Sequence, residues 1–193
     1  MHRADPELLR KLPARYRDLA HEPGPKMLVE ALRHYGVREY PGAADNPVIL
    51  KWARELDRKG YSWIGDMFAR GGDAVAWCGV YVGMVAKRAG KALPKNPIRA
   101  LAWSGFGKQV LGPPELGDVL VFTRKGGGHV GFYVGEDDTH FHVLGGNQSN
   151  SVSIARIAKS RLYGAFREYR IAKPANVRRI YRDAKGLVSE NEA

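Results

Sequence analysis

Apolar residues recur at helical spacing in the first half of the chain and in short compact runs in the second. In "KMLVEALRHYG", Leu28, Leu32 and Tyr35 share one helical face, and Gly36 supplies a stop. "VREYPGAADNP" reads as a loop whose Asp45 or Asn46 can cap a second helix, "PVILKWARELDRKG", again closed by glycine. "GGDAVAWCGVYVGMVAKRAG" predicts a third, with Asp73 as a candidate cap and Gly90 at its end. That segment is apolar on nearly every face, which marks a central helix packed against a sheet. Ahead of these, residues 1–24 carry one short basic amphipathic helix that runs into the breaker "HEPGP".

The texture then changes. "ALPKNPIRALAWSGFGKQVLGPPELG" is loop with one short helical piece. After it come "DVLVFTR", "HVGFYVG", "THFHVLG", "SVSIARI" and "RLYGAFREYRI", rich in β-branched and aromatic residues and separated by Gly, Asp, Asn and Ser. Helices followed by about five antiparallel strands predict an α+β fold with the sheet covered by helices on one side. The expected organisation is an appendage over 1–24, one domain over 25–172 and a polar basic tail over 173–193.

Composition narrows the function classes. The 193 residues are 44% apolar and 26% charged, as in one ordinary globular domain. A single cysteine excludes an internal disulfide and any multi-cysteine zinc site. The dispersed histidines lack ligand spacing and "EDD" is too short for a calcium loop, so neither metal nor cofactor is expected. No run is long enough to span a membrane, and the charged N-terminus lacks the apolar core of a secretory signal, so synthesis in the cytoplasm is expected. The 31 Lys and Arg exceed the 20 Asp and Glu by 11, which suits a polyanionic partner. Zinc-finger spacing, a phosphate-binding glycine loop and an RNA-recognition signature are all missing, so the expected partner is an anionic envelope rather than nucleic acid.

The one thiol, Cys78, has two readings: a small buried apolar group, or a nucleophile. It falls early in the central helix, where the positive end of the helix dipole favours a thiolate. A nucleophilic thiol needs a base, and among the six histidines His129 begins a strand directly after Lys125-Gly126-Gly127-Gly128. If "HVGFYVG" and "THFHVLG" form a hairpin turning near Asp137, the partner of His129 lies between residues 145 and 147. Asn147 is the polar side chain in that window, able to accept the ring N–H. The same register sends His142 several residues down the ladder, while His140 lies in the turn, so both read as structural or solvated. Cys78, His129 and Asn147 together suit acyl transfer through a thioester. Trp77 and Trp103 either line a peptide groove or pack in the core, and Asp73 either caps its helix or lines the cleft. Asp118 reads as a turn residue.

At these residues a family resemblance enters. "AWCGVYVGMVAKRAG", "LGDVLVF", "GGHVGFYVG" and "VLGGNQSNSVSI", in that order, resemble the CHAP and NlpC-type papain-like peptidoglycan hydrolases, particularly a phage- and prophage-associated branch. The likeness runs from about residue 27 to about residue 170, and "ALRHYGVREYPGAADNPVILKW" shares in it. It implies a papain-like fold and cleavage of an amide in the peptide part of peptidoglycan, with Cys78 as nucleophile, His129 as base and Asn147 as orienting residue. Trp77 matches the aromatic that precedes the nucleophile. The Cys78 N–H is the expected oxyanion donor. The expected protein is a monomeric lysin reaching the wall through a holin, a phage tail or a secretion machine. An antibacterial amidase effector and a non-catalytic wall-binding component are the alternatives.

Overall fold

The computed structural model describes residues 5–41, 44–57, 63–169, 172–186 and 188–189. It is α+β: α1 (Pro6–Lys11), α2 (Lys26–Leu32), α3 (Pro47–Leu56), α4 (Trp63–Gly71) and α5 (Cys78–Arg88) precede six strands. These are β1 (Lys108–Gln109), β2 (Val119–Arg124), β3 (Gly127–Glu136), β4 (His140–Gly145), β5 (Ser153–Ala158) and β6 (Leu162–Arg167). They form one antiparallel sheet in the order β1-β6-β2-β3-β4-β5. The five predicted strands are all present, and the two-residue β1 adds an edge.

Local chemistry sets the helix ends. Asn46 caps α3 through its side-chain oxygen, which accepts from Val48 N–H, and Pro47 stands at the first helical position. Ile49, Trp52, Ala53 and Leu56 then bury one stripe of that helix. Helix α5 is buried over nearly its whole length and ends where Gly90 takes φ +73° and Lys91 N–H reaches back to Ala86 O at 2.8 Å. It starts at Cys78, four residues later than a cap at Asp73 predicts. Between them the chain makes a 3₁₀ turn over Gly72–Ala74. The Asp73 carboxylate instead accepts from Asn46 N–H at 2.7 Å, which ties the start of α3 to the approach to α5.

Both faces of the sheet are apolar, which is why its strands read as compact runs rather than alternations. Val119, Val121, Val130, Phe132 and Leu144 join the main core with the helices. Leu120, Phe122, Tyr133, Phe141, Val143, Ile157 and Ala165 make a second cluster on the opposite face. Residues 5–21, expected as an appendage, contribute Leu8, Leu12, Tyr16 and Leu19 to the main core. Residues 172–186 lie along the domain: Arg182 N–H bonds to Glu136 O, its guanidinium pairs with Asp18, and Val177 is buried. Among the described residues no helix is long and apolar enough to cross a membrane.

Candidate active site

Cys78 is the first residue of α5 and is buried, 5% exposed. Tyr81 N–H is bonded to Trp77 O at 2.9 Å, so the N–H groups ahead of it point out of the helix start, the end carrying partial positive charge. Trp77 occupies the N-cap position, but an indole has no acceptor to offer those groups. Its Nε1–H donates instead to Glu39 Oε1 at 2.6 Å. The ring is fully buried and tilted against Trp52, with centroids 6.1 Å apart.

His129 sits on β3 opposite Phe122 of β2, and the two rings lie 6.5 Å apart at 31°. It is buried. Its Nε2 is 3.1 Å from Gln148 Oε1. The Gln148 amide is fixed at its other end, where Nε2 donates to Ser153 O at 2.6 Å and to Val143 O at 3.2 Å. Those donations leave Oε1 as the atom facing the imidazole, so His129 Nε2 carries the hydrogen and Nδ1 is the basic nitrogen.

Gln148, not Asn147, is therefore the residue that orients His129. The hairpin register itself is close to expectation: Phe132 pairs with Leu144 and Tyr133 with Val143, which carries the ladder toward Asn147 as the partner of His129. But β4 ends at Gly145, and Asn147 takes φ +58° as the chain turns out of the sheet. Ser149 and Asn150 are also left-handed, at φ +51° and +56°. In that turn the next side chain reaches His129. The signal available in the sequence was the density of residues that tolerate positive φ in "GGNQSN", which warns that strand alternation stops there.

The end of β4 lies between the two candidate catalytic elements. A β-carbon on Gly145 would lie 2.9 Å from His129 Nε2 and 2.8 Å from Gln148 Oε1. One residue on, a β-carbon on Gly146 would lie 2.6 Å from Trp77 Cζ3. The dipeptide thus touches the imidazole with one residue and the start of α5 with the next.

The remaining predicted residues have structural partners. Trp103 is buried, donates to Pro97 O at 2.9 Å and packs on Phe106, so it belongs to the core and not to a groove. Trp77 is likewise closed off from solvent, and Asp73 is committed to Asn46. Asp118 accepts from Glu115 N–H and pairs with Arg167 through both oxygens, holding its turn. His140 bonds to the neighbouring Thr139 hydroxyl. His142 is buried between Tyr16, whose hydroxyl lies 2.7 Å from Nδ1, and Asp137, whose Oδ2 lies 3.1 Å from Nε2. Burial pushes its imidazole below the ordinary range, against the hydrogen bond to Asp137. Among the described residues no cluster of His, Cys, Asp or Glu could hold a metal ion.

A cavity of about 440 Å³ lies at the other end of α5, between Met27, Phe106, Phe166 and Tyr169. It does not involve Cys78 or His129. Comparison with family models, with curated proteins and with solved structures finds no match.

Proposed function

We propose that this chain is a cysteine amidase or endopeptidase that cuts an amide in the peptide part of peptidoglycan. The observation that carries the chemistry is the His129–Gln148 bond. An amide pinned by two main-chain carbonyls holds the imidazole in the one tautomer that presents Nδ1 as a base. The chain's only thiol stands at the positive end of a buried helix to complete the set. The resemblance of "AWCGVYVG", "GHVGFYVG" and "GGNQSN" to CHAP and NlpC-type hydrolases supplies the substrate class.

In this reading His129 Nδ1 takes the proton from Cys78 Sγ, and sulfur attacks the scissile carbonyl carbon. The C–S bond forms as the carbonyl electrons move to oxygen, where the Cys78 N–H stabilises the charge. Collapse breaks the C–N bond, and His129 returns the proton to the departing amine. Water, deprotonated by the same nitrogen, then opens the thioester and restores the thiol. Gln148 keeps the imidazole oriented as it gains and loses charge.

Purified wild type is expected to clear a peptidoglycan gel, and mass spectrometry of the digest should show one new amine and one new carboxylate per cut. Cys78→Ser should keep the fold and lose turnover by roughly three orders of magnitude or more. Wall cleavage retained by Cys78→Ser, or absent from wild type, overturns the proposal; the second result favours a wall-binding component.

A further inference from the structure

Glu39 lies outside the predicted site, in the loop between α2 and α3, yet it makes contact with both halves of the site. Its carboxylate accepts the Trp77 indole N–H at 2.6 Å, and Trp77 directly precedes Cys78. Its main-chain N–H donates to Asn150 O at 2.9 Å, in the turn that presents Gln148 to His129. Neighbouring bonds reinforce both links. Arg38 bridges Ser151, Gly36 N–H bonds to Val152 O, and Arg38 O accepts from the Asn46 side chain at 2.7 Å.

We infer that Glu39 is a positioning residue that fixes the start of α5 relative to the 147–151 turn, and so sets Cys78 against the His129–Gln148 pair. The inference rests on the thiol–imidazole reading above. The geometry favours it over a purely structural role for two reasons. Among the described residues, the side-chain acceptor on the Trp77 indole belongs to Glu39. The same residue is bonded through its backbone to the Gln148 turn, so a shift of one half is passed to the other. Gly146 against the Trp77 ring leaves no slack between them.

The test is the alkylation of Cys78 by iodoacetamide, because this is the only thiol and the reaction needs no wall substrate. The second-order rate is measured from pH 5 to pH 9 on the full chain, with thermal melting beside it. Glu39→Ala is expected to lower the rate at neutral pH by about tenfold and to move the midpoint of the pH profile upward. Glu39→Gln keeps an acceptor for the indole and should restore most of the rate. Trp77→Phe removes the donor and should match Glu39→Ala, and the double variant should be no worse than either single one. If Glu39→Ala does not fold, the contrast between Glu39→Gln and Trp77→Phe carries the test. A rate and pH profile unmoved by Glu39→Ala, or equal damage from the alanine and glutamine variants, overturns the inference. A wild-type thiol that responds as described while wall cleavage is absent leaves it standing and removes the proposed function instead.

Discussion

Gly146 and Trp77 are in contact with no room for a methyl group: a β-carbon on the glycine would lie 2.6 Å from Cζ3 of the indole and 2.7 Å from Tyr81 Cβ. Backbone and buried ring cannot separate without opening the junction between β4 and the start of α5.

Gly146→Ala is therefore expected to destabilise the fold by about 1–3 kcal/mol, the usual cost of overpacking. It should also slow wall cleavage more than Gly36→Ala, whose added carbon meets nothing within 4 Å, although Gly36 carries a positive φ of +88° that Gly146 does not share. Urea midpoints and initial rates check both statements. Equal effects at the two glycines would mean that the junction yields freely.

Gln148 and Asn147 separate cleanly by substitution. Gln148→Ala should lower kcat at least about tenfold, because the imidazole loses the partner that fixes its tautomer. Asn147→Gly, which relieves a left-handed residue of its β-carbon, should stay within about twofold of wild type. Reversed rankings would return the orienting role to Asn147.

Among the histidines the contrast is between chemistry and stability. His129→Ala should abolish turnover and leave the thiol in place. His142→Ala should lower stability by about 1–3 kcal/mol through the stranded Tyr16 and Asp137 groups, with activity per folded molecule near that of wild type. Melting curves beside active-site titration distinguish the two.

Acid should weaken the fold in two steps. His142 and His34 are both pushed below the ordinary imidazole range, chiefly by burial. The unfolded chain then binds protons that the native state refuses, and stability falls as pH drops below about 6.5. Asp137 follows at lower pH. Burial works to raise its carboxyl, but hydrogen bonds from Arg156, Thr139, His142 and His140 outweigh this and hold it well below the usual carboxylate range. A depressed carboxylate contributes stability above its unfolded value, near pH 4, and loses it as pH falls toward the folded one. Urea midpoints from pH 7 to pH 3 should decline throughout, and His142→Asn should flatten the part between pH 7 and pH 5. An unchanged slope there would exclude His142 as a titrating group.

The excess of 11 positive charges predicts salt-sensitive action on intact wall. Screening shortens from about 10 Å at 0.1 M to about 3 Å at 1 M, so cleavage of whole wall should fall steeply while a small soluble muropeptide is cut at a nearly constant rate. Lys51, Lys108 and Lys125 are exposed, and their joint replacement by Gln should reproduce part of the high-salt loss on the wall alone. Equal salt responses of the two substrates would reduce the charge to a solubility device.

The strands, the central helix and the hairpin register were legible because β-branched runs, turn residues and a long apolar stretch each carry a local signal. The start of α5 was not. Asp73 is a good capping residue type, but its carboxylate is taken by Asn46, a contact 27 residues away that no local pattern encodes. Helix α4 went unread beside its glycines. In the site, Cys78 stood out as a lone thiol and His129 as a histidine read to open its strand, although β3 begins two residues earlier at Gly127, whereas Gln148 depends on where the chain leaves the sheet. The buried Tyr16–His142–Asp137 chain was invisible for the same reason, since it joins residues 126 apart.

Arg182 closes the molecule on itself: its guanidinium holds Asp18 and Arg15 O, and it bonds to Val134 O in β3. Residues 15–18 therefore reach their final setting only after residue 182 has left the ribosome, and local folding of the first helices during synthesis cannot complete it. A nascent chain halted after β6 would lack this closure, so assembly of the domain waits for the segment that follows the last strand.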